Sequence, residues 1–268
     1  MTDSTLPAAV LIIHDERKGH LHPAMAVAEI LEQQYALKPI AFRLPITLKK
    51  TMISMMKKLS YFPFMFQLLG KLLFKIQPPH PEQYQAIVCS GMPNLIYAAW
   101  LARQWNIPLI YAGGTRKFNP ELIDRIICTV PEQHHAEQII IPTCPVLKKF
   151  SNVSAIVPQA QACLLLGGPT REYAFSLDDY QNLIEHFHQF CLQHHFRGKV
   201  VMSRRTPNLP DDIVMRFPQI DLIPMDANIA IDSIMLNSQF IFVTADSVSM
   251  LSEALQTGRS VISVHLPQ

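Results

Sequence analysis

A loop at residues 14–23 gathers His, Asp, Glu, Arg and Lys side chains directly after a short apolar run. A near-neutral imidazole or a carboxylate in such a loop can act as a general base, which makes His20 and Asp15 the candidate catalytic residues. Gly19 is expected to permit a tight bend, and Pro23 suits the first turn of the helix that follows. The alternative is an ordinary solvated turn. Because the loop lacks GxGxxG, a bound dinucleotide is not supported.

Three later loops favour the binding of phosphate. The loop at residues 166–171 has two glycines that can free successive backbone N–H groups for an anion. The loop at residues 203–207 places two adjacent arginines beside two hydroxyls, a set that suits a diphosphate. The loop at residues 244–254 can supply a helix N-terminus capped by Asp246 or Ser247, and such a terminus binds phosphate. Each loop alone is also compatible with a solvated turn or a simple helix cap.

All three of these loops follow strands, so we expect them to meet at one rim of a sheet and to bind one phosphate-bearing ligand. Glu253, one helical turn beyond Ser249, could then accept hydrogen bonds from ribose hydroxyls. The predicted ligand-binding residues are Gly167, Gly168, Thr170, Arg171, Ser203, Arg204, Arg205, Asp246, Ser247, Ser249 and Glu253. The histidines of the chain lack the carboxylate pattern of a metal site, so we expect no bound metal.

The elements that must position these loops follow from the apolar pattern, which predicts strands separated by helices. Strands are predicted at residues 8–13, 39–43, 86–89, 108–111, 125–130, 162–166, 199–203, 221–223, 240–244 and 260–264. Helices are predicted at residues 23–34, 93–104, 177–195, 211–217, 229–236 and 248–256. Strands that are apolar on both faces and alternate with helices indicate parallel sheets.

A proline-containing stretch at residues 142–161 divides this pattern into two halves of similar size. We therefore predict an α/β fold with two Rossmann-like domains, at residues 1–150 and 151–268, and an interdomain cleft. In such sheets ligands bind at the carboxyl ends of the strands, where the four loops lie.

Positive charge is concentrated in one segment, although the formal net charge of the chain is only +2. Residues 33–81 contain eight basic and no acidic side chains. Within residues 46–76, Met, Leu and Phe alternate with lysine pairs at roughly helical spacing, and Pro63 should divide the run into two short helices. Basic amphipathic helices suit an anionic membrane surface, and the alternative is a core helix pair with solvated lysines. Few aromatics alternate with arginine, so nucleic acid is not an expected partner.

Composition excludes several classes of protein. Apolar residues make up 49% of the chain and charged residues 16%, so it can bury a sizeable core and is not disordered. The 5 cysteines are scattered and form no CxxC, which argues against a disulfide scaffold. Neither a signal peptide nor an apolar run of ~18 residues is present. We expect a cytoplasmic protein that is peripheral on the inner membrane.

Longer stretches around the three later loops resemble the bacterial members of the "elongated mitochondria" fission-factor family. They read LLLGGPTREYAFSLDDY, VVMSRRTP and FVTADSVSMLSEALQTGRSV, and VPEQH and IPT earlier in the chain also fit. That family resembles glycosyltransferases of the GT-B type. The resemblance implies two Rossmann-like domains, a nucleotide-sugar bound in the C-terminal one and an acceptor in the N-terminal one. It implies no metal and no cofactor beyond the nucleotide-sugar co-substrate.

The first loop carries a second resemblance. Gly19-His20 with Pro23-Ala24 is similar to the GHxxPA turn of the lipid-intermediate glycosyltransferase of peptidoglycan synthesis, which sits on the membrane through an apolar and basic patch. Carried over, these resemblances imply that Asp15, Arg17, Gly19 and His20 face the reaction centre, with Arg17 and Gly19 on the acceptor side.

We therefore expect a glycosyltransferase that moves a sugar from a nucleotide-sugar to a membrane-associated acceptor, either lipid-linked or a lipooligosaccharide. Residues 46–76 would contact the anionic membrane. A nucleotide-sugar epimerase on the same fold and a non-catalytic membrane recruitment factor are the alternatives.

Overall fold

A computed structural model describes residues 7–132, 137–147, 156–170, 173–210, 216–224, 227 and 229–265. The chain forms two compact units, Met1–Leu147 and Lys148–Gln268. The boundary predicted from the sequence, between residues 150 and 151, lies outside the described residues.

The N-terminal unit contains a sheet of six strands, all parallel, in the spatial order β2-β1-β3-β4-β5-β6. The strands are β1 (Ala9–His14), β2 (Lys38–Arg43), β3 (Tyr84–Ser90), β4 (Leu109–Ala112), β5 (Arg125–Cys128) and β6 (Gln138–Ile140). The helices are α1 (Lys18–Tyr35), α2 (Lys50–Leu59), α3 (Pro63–Leu73) and α4 (Met92–Trp105), with 3-10 turns at Pro81–Gln83 and Pro120–Leu122. The strand β6 was not predicted, because it is only three residues long and two of them are exposed.

The core of this unit forms where strands with two buried faces meet a helix that is buried along most of its length. Strand β1 is buried at five of its six positions, and α4 is buried continuously over residues 94–102. Aromatic side chains fill the space between α4 and the basic segment, and Trp100, Tyr97 and Phe74 pack ring against ring. This packing holds α4 against the basic segment.

The first helix begins five residues before its predicted start, so Gly19 and His20 are helical and do not lie in a loop. The prediction that Gly19 permits a tight bend is wrong, since the left-handed backbone of the turn falls on Glu16, with a φ of 65°. Pro23 lies inside the helix and not at its first turn. The helix can extend back past this proline because the missing N–H removes only one hydrogen bond near the helix end.

The basic segment forms the two short helices predicted from the sequence, α2 and α3, with Pro63 in the first turn of α3. They bury Met56 and Phe66 against α4, while many of their other large apolar side chains are exposed. Within the part of the chain that the structure describes, no helix is both long and apolar enough to cross a membrane.

The C-terminal unit contains a five-stranded parallel sheet in the order β11-β10-β7-β8-β9. Its strands are β7 (Gln161–Leu166), β8 (Arg197–Met202), β9 (Ile220–Ile223), β10 (Phe240–Thr244) and β11 (Ser260–Val264). Its helices are α5 (Leu177–Gln193), α6 (Ile231–Asn237) and α7 (Val248–Leu255). Most of the helix predicted at residues 211–217 lies outside the described residues.

Each sheet has one point at which its strand order reverses. The N-terminal sheet grows from β1 to β2 on one side and from β3 onward on the other, so its reversal lies between β1 and β3. In the C-terminal sheet the reversal lies between β7 and β10. Loops that leave the carboxyl ends of neighbouring strands at such a point diverge and leave a crevice, where α/β proteins bind ligands. The loops predicted to do chemistry leave the sheets at these two points.

Candidate functional site

The three phosphate-binding loops predicted in the C-terminal unit meet at the reversal point of its sheet. Arg205, after β8, donates from Nη1 to the carbonyl oxygen of Gly168, after β7, at 2.9 Å. Its Nη2 lies 2.7 Å from Oδ2 of Asp246, after β10. Asp246 Oδ2 also accepts from the backbone N–H of Gly168 at 3.2 Å. One carboxylate and one guanidinium therefore tie the three loops together.

The carboxylate at the centre of this cluster is completely buried. The Asp246 side chain is 0% exposed, and its Oδ1 has no hydrogen-bond partner among the described residues. A Cβ at Gly167 would overlap this carboxylate, and a Cβ at Gly168 would overlap the backbone carbonyl of Arg205. Both glycines are therefore required by the close approach of neighbouring groups.

The backbone N–H groups of the two glycines are not free for an anion in this structure, contrary to the prediction. The N–H of Gly167 donates to Thr244 Oγ1 at 2.7 Å, and that of Gly168 donates to Asp246. Buried backbone donors must find acceptors, and the side chains that end β10 supply them here. Arg205 is likewise occupied by internal partners, which makes it a residue that positions the loops.

Groups at the rim of the same cluster remain available to a ligand. Arg204 is exposed and forms no ion pair or side-chain hydrogen bond with any described residue, and Ser249 is exposed on the first turn of α7. The prediction that Asp246 or Ser247 caps α7 is wrong, since Ser247 occupies the cap position without a side-chain hydrogen bond to the helix and Asp246 turns to Arg205. The first N–H groups of α7 therefore have no side-chain cap, and such groups attract anions.

The remaining predicted residues divide between local structure and the rim. Ser203 Oγ lies 3.1 Å from Thr206 Oγ1 and accepts from the N–H of Arg205, which shapes the loop after β8. Thr170 Oγ1 accepts from the N–H of Tyr173 at 3.0 Å, within the loop after β7. Glu253 is partly exposed on α7, and Arg171 lies outside the described residues.

In the N-terminal unit, the two predicted catalytic residues are bonded to each other. Nδ1 of His20 lies 2.9 Å from Oδ1 and 3.0 Å from Oδ2 of Asp15. Asn94 Nδ2 lies 3.4 Å from Asp15 Oδ1 and donates to the carbonyl of Ser90 at 2.7 Å. Arg17, largely exposed, reaches Asp15 Oδ2 at 3.6 Å. A carboxylate that holds Nδ1–H leaves the lone pair of the imidazole on Nε2, which can then accept a proton.

Gly91 closes this site from the far side of the sheet reversal. Its φ is 84°, and a Cβ there would lie 2.5 Å from the imidazole of His20. Gly19, in contrast, has open space around it, and a Cβ there would meet nothing within 4 Å.

Comparison with known proteins decides the family. A family model described as Mitochondrial fission ELM1 matches residues 18–268 of the chain. The chain belongs to this family. Protein RP120 of Rickettsia prowazekii (strain Madrid E), described as uncharacterized, is 22% identical to this chain over an alignment of 312 positions, gaps included, that takes in 96% of this chain and 83% of RP120.

Solved structures of low sequence identity share the fold of the ELM1 chain. The Phytolacca americana protein UGT2, complexed with UDP-2fluoro-glucose and pterostilbene, matches with a TM-score of 0.57 at 13% identity, over 97% of this chain and 81% of that chain. A putative UDP-N-acetylglucosamine 2-epimerase from Listeria monocytogenes matches with a TM-score of 0.54 at 13% identity, over 98% and 80%. The family and the GT-B-like α/β fold predicted from the sequence are thus confirmed.

Several residues that build these sites were missed from the sequence. In the C-terminal unit they are Thr244 and Tyr180, whose hydroxyl reaches the Gly167 carbonyl at 3.3 Å. Thr206, one of the two hydroxyls predicted beside the arginines, donates to the same carbonyl at 2.8 Å. Burial raises the pKa of Tyr180 to about 12. A polar residue that ends an apolar run was the available signal for Thr244.

In the N-terminal unit of the ELM1 chain, the missed residues are Gly91 and Asn94. The signal for them was the order Ser-Gly-Met-Pro after a strand, which is typical of a strand-to-helix turn. Among the described residues, no three His, Cys, Asp or Glu side chains come together as a metal-binding group.

Proposed function

We propose that this ELM1-family protein transfers a sugar from a nucleotide-sugar to an acceptor hydroxyl without a metal ion. The observation that carries the proposal is that Arg205 and Asp246 hold three loops together where the strand order of the C-terminal sheet reverses. The N-terminus of α7, which has no side-chain cap, follows the last of these loops. The fold it shares with UGT2, which is complexed with UDP-2fluoro-glucose, supports the same class of ligand.

On the donor side, bond cleavage leaves negative charge on the β-phosphate of the nucleotide diphosphate. Arg204, which has no carboxylate partner among the described residues, and the first N–H groups of α7 are placed at the rim to stabilise that charge. Fixed positive groups aimed at developing charge are the usual source of electrostatic catalysis. Arg205 contributes by holding the loops in register, because its own charge is neutralised by Asp246. Thr170, Arg171, Ser249 and Glu253 complete the proposed donor site.

On the acceptor side, we assign the general base to His20. Its Nε2 would take the proton of the acceptor hydroxyl as that oxygen attacks the sugar. Asp15, on Nδ1, fixes the tautomer and stabilises the imidazolium that forms, and Arg17 and Gly19 lie beside it. Asp15 is not assigned as the base, because both of its carboxylate oxygens lie within hydrogen-bond distance of His20 Nδ1.

The acceptor in this proposal is carried by a membrane, as a lipid-linked saccharide or a lipooligosaccharide. Exposed apolar side chains on α2 and α3 alternate with lysines, and this pattern fits an anionic bilayer surface. The protein would then work on the cytoplasmic side of the inner membrane as a peripheral protein.

An epimerase that acts on a nucleotide-sugar is the second candidate, since a putative UDP-N-acetylglucosamine 2-epimerase matches the fold nearly as well as UGT2 does. An epimerase needs no acceptor. Conversion of a nucleotide-sugar by the protein alone would favour it, and a strict requirement for an added acceptor would favour transfer.

The donor site is tested by titrating UDP into the protein by calorimetry. Arg204→Ala is expected to weaken UDP binding at least about tenfold, the loss of one charge-assisted contact, without a change in melting temperature. Arg197→Ala is the matched control, because it removes the same charge from the amino end of β8, opposite the site. Equal UDP affinity in the wild type and in Arg204→Ala would contradict the proposal.

A further inference from the structure

The loop after β4 packs against the C-terminal end of α2, although the two segments are far apart in the sequence. The backbone N–H of Asn119 donates to Ser60 Oγ at 2.9 Å, and its Nδ2 donates to the Ser60 carbonyl at 3.1 Å. Phe118 is fully buried next to them, with its ring edge-on to Phe66 at 5.9 Å. These contacts bring the two residues before Phe118, which are Arg116 and Lys117, to the helix end that carries Lys57.

Three cations gather at this place, next to Thr115, which is hydrogen-bonded to the Glu132 carboxylate. Arg116 and Lys117 are exposed, Lys57 is half-buried, and none of them forms an ion pair within the described residues. Burial, Arg116 and Lys117 together lower the pKa of Lys57, in that order of importance, which shows that the three charges act on one another. Like charges held close together destabilise a fold, and a bound anion reduces that cost.

The backbone of the loop is held in an unusual conformation at the same two residues. Arg116 and Lys117 both have left-handed backbones, with φ values of 48° and 69°. The loop is anchored on its other side by Thr115, which donates from its N–H and its hydroxyl to Glu132 at 2.7 and 2.6 Å. A left-handed backbone costs energy for residues that carry a side chain, and the contacts of Thr115, Phe118 and Asn119 on either side hold the loop in this shape.

Large apolar side chains are exposed in the turn between α2 and α3 and in the first turn of α3. Tyr61, Phe62, Phe64 and Met65 are 53%, 62%, 78% and 48% exposed. Leu68 and Leu72 continue this surface along α3 and are also exposed. We call Tyr61, Phe62, Phe64 and Met65 the aromatic tip. Cations beside exposed aromatic side chains complement an amphiphile with an anionic head and an apolar tail.

We propose that Lys57, Arg116 and Lys117 form a binding site for the phosphate of a membrane lipid whose phosphate is exposed as a monoester or diphosphate, with the aromatic tip inserted among the acyl chains. The site rests on the membrane contact in the proposed function and deepens it by naming the group that is recognised. Arg116 and Lys117 lie outside residues 46–76, so sequence patterning alone did not include them.

The test is co-sedimentation of the full chain with vesicles of phosphatidylcholine mixed with either phosphatidic acid or phosphatidylserine at equal surface charge. The wild type is expected to bind the phosphatidic acid vesicles at least about fivefold more tightly, because their phosphate is a monoester. Arg116→Gln with Lys117→Gln should abolish this preference. Lys71→Gln with Lys75→Gln removes the same charge from α3 and should weaken both affinities while the preference remains. Lysines near an anionic surface are attracted by its charge without regard to the identity of the lipid.

Lys57→Gln is a second variant, chosen because it removes a charge that its neighbours disfavour and should fold at least as stably as the wild type. It too is expected to lose the preference for phosphatidic acid. A preference that survives in both the Arg116/Lys117 and the Lys57 variants would overturn the phosphate site while leaving general membrane contact intact. Failure of the wild type to bind either anionic vesicle would overturn the membrane contact itself, and this site with it.

Discussion

The two sheets place similar groups at their points of reversal and use them differently. In each, a carboxylate that follows a strand holds a basic side chain: Asp15 holds His20, and Asp246 holds Arg205. In each, a glycine leaves no room for a Cβ beside the pair, which is Gly91 in one unit and Gly167 in the other. The local geometry that creates a crevice in an α/β sheet therefore recurs in both units.

The difference lies in exposure and in the partner of the carboxylate. Asp246 is 0% exposed and faces an arginine, which stays charged at any pH of biological interest. Asp15 is 15% exposed and faces a histidine that is 26% exposed, and imidazole exchanges protons near neutral pH. The pair in the C-terminal unit suits a fixed structural role, and the pair in the N-terminal unit suits proton transfer.

The largest expected effect is on the rate of sugar transfer. His20→Ala should lower kcat by about 10²–10⁴-fold, the usual contribution of a general base, while UDP affinity and melting temperature stay near those of the wild type. Steady-state kinetics and calorimetry on the same preparation measure both quantities. His80→Ala, an exposed histidine beside Glu82, is the control and should leave kcat unchanged. A His20→Ala variant with the kcat of the wild type would contradict the assignment of His20 as the general base.

The next largest effect is on the free energy of unfolding, and it distinguishes Arg205 from the adjacent Arg204. Arg205→Ala leaves the buried Asp246 carboxylate without its cation, and we expect a loss of about 3 kcal/mol in the free energy of unfolding. This is the low end of the range for buried pairs, because Arg205 is itself 38% exposed and water screens part of the interaction. Arg204→Ala should change the free energy of unfolding by less than about 0.5 kcal/mol. The midpoints of urea denaturation of both variants measure the difference. Coinciding midpoints would contradict the role of Arg205 in tying the three loops together.

A smaller effect compares two glycines on either side of His20. Gly91→Ala forces a Cβ against the imidazole at a φ of 84° and should cost about 2 kcal/mol, with loss of transfer activity as His20 is displaced. Gly19→Ala is the matched control in the same site, since its Cβ meets nothing within 4 Å and alanine favours a helix. We expect it to be neutral or stabilising by about 0.5 kcal/mol in thermal or urea unfolding. Equal destabilisation by both would show that the packing of His20 on Gly91 is unimportant.

Periodicity predicted most of the fold because it reports burial, and burial decides where strands lie. Strand β10 and strand β11 begin and end at the predicted residues, and the division of the basic segment at Pro63 is confirmed. The start of α1 was predicted wrongly, since a proline at the sixth helical position looks the same in sequence as a proline at the first. The residues around Pro23 do not show whether the helix begins at this proline or five residues before it.

The candidate sites were predicted by residue type but not by contact. Sequence placed Gly167, Gly168 and Asp246 in loops that should meet, yet it assigned the two N–H groups to a ligand when Thr244 and Asp246 accept them. Which donor meets which acceptor depends on strand order and register, which a single sequence does not encode locally. Arg205 and Arg204 likewise differ only in which way each side chain turns from the same loop.

The smallest expected effect is the loss of a surface ion pair, which serves as the reference for the buried pair of Asp246 and Arg205. On β9, Asp221 pairs with Lys199 and Arg197 at the surface, and the hydrogen bond from Lys199 is the largest cause that lowers the pKa of Asp221 below its ordinary 3.8. Because the folded pKa is lowered, the pair adds stability above pH 3.8 and loses it as the pH falls through the folded value. Asp221→Asn should therefore cost about 0.5 kcal/mol at pH 7, the usual worth of a solvent-screened pair, and progressively less as the pH falls below 3.8. If Asp221→Asn and Arg205→Ala lower the free energy of unfolding equally in urea at pH 7, the burial of Asp246 does not make its pair with Arg205 more stabilising than a surface pair.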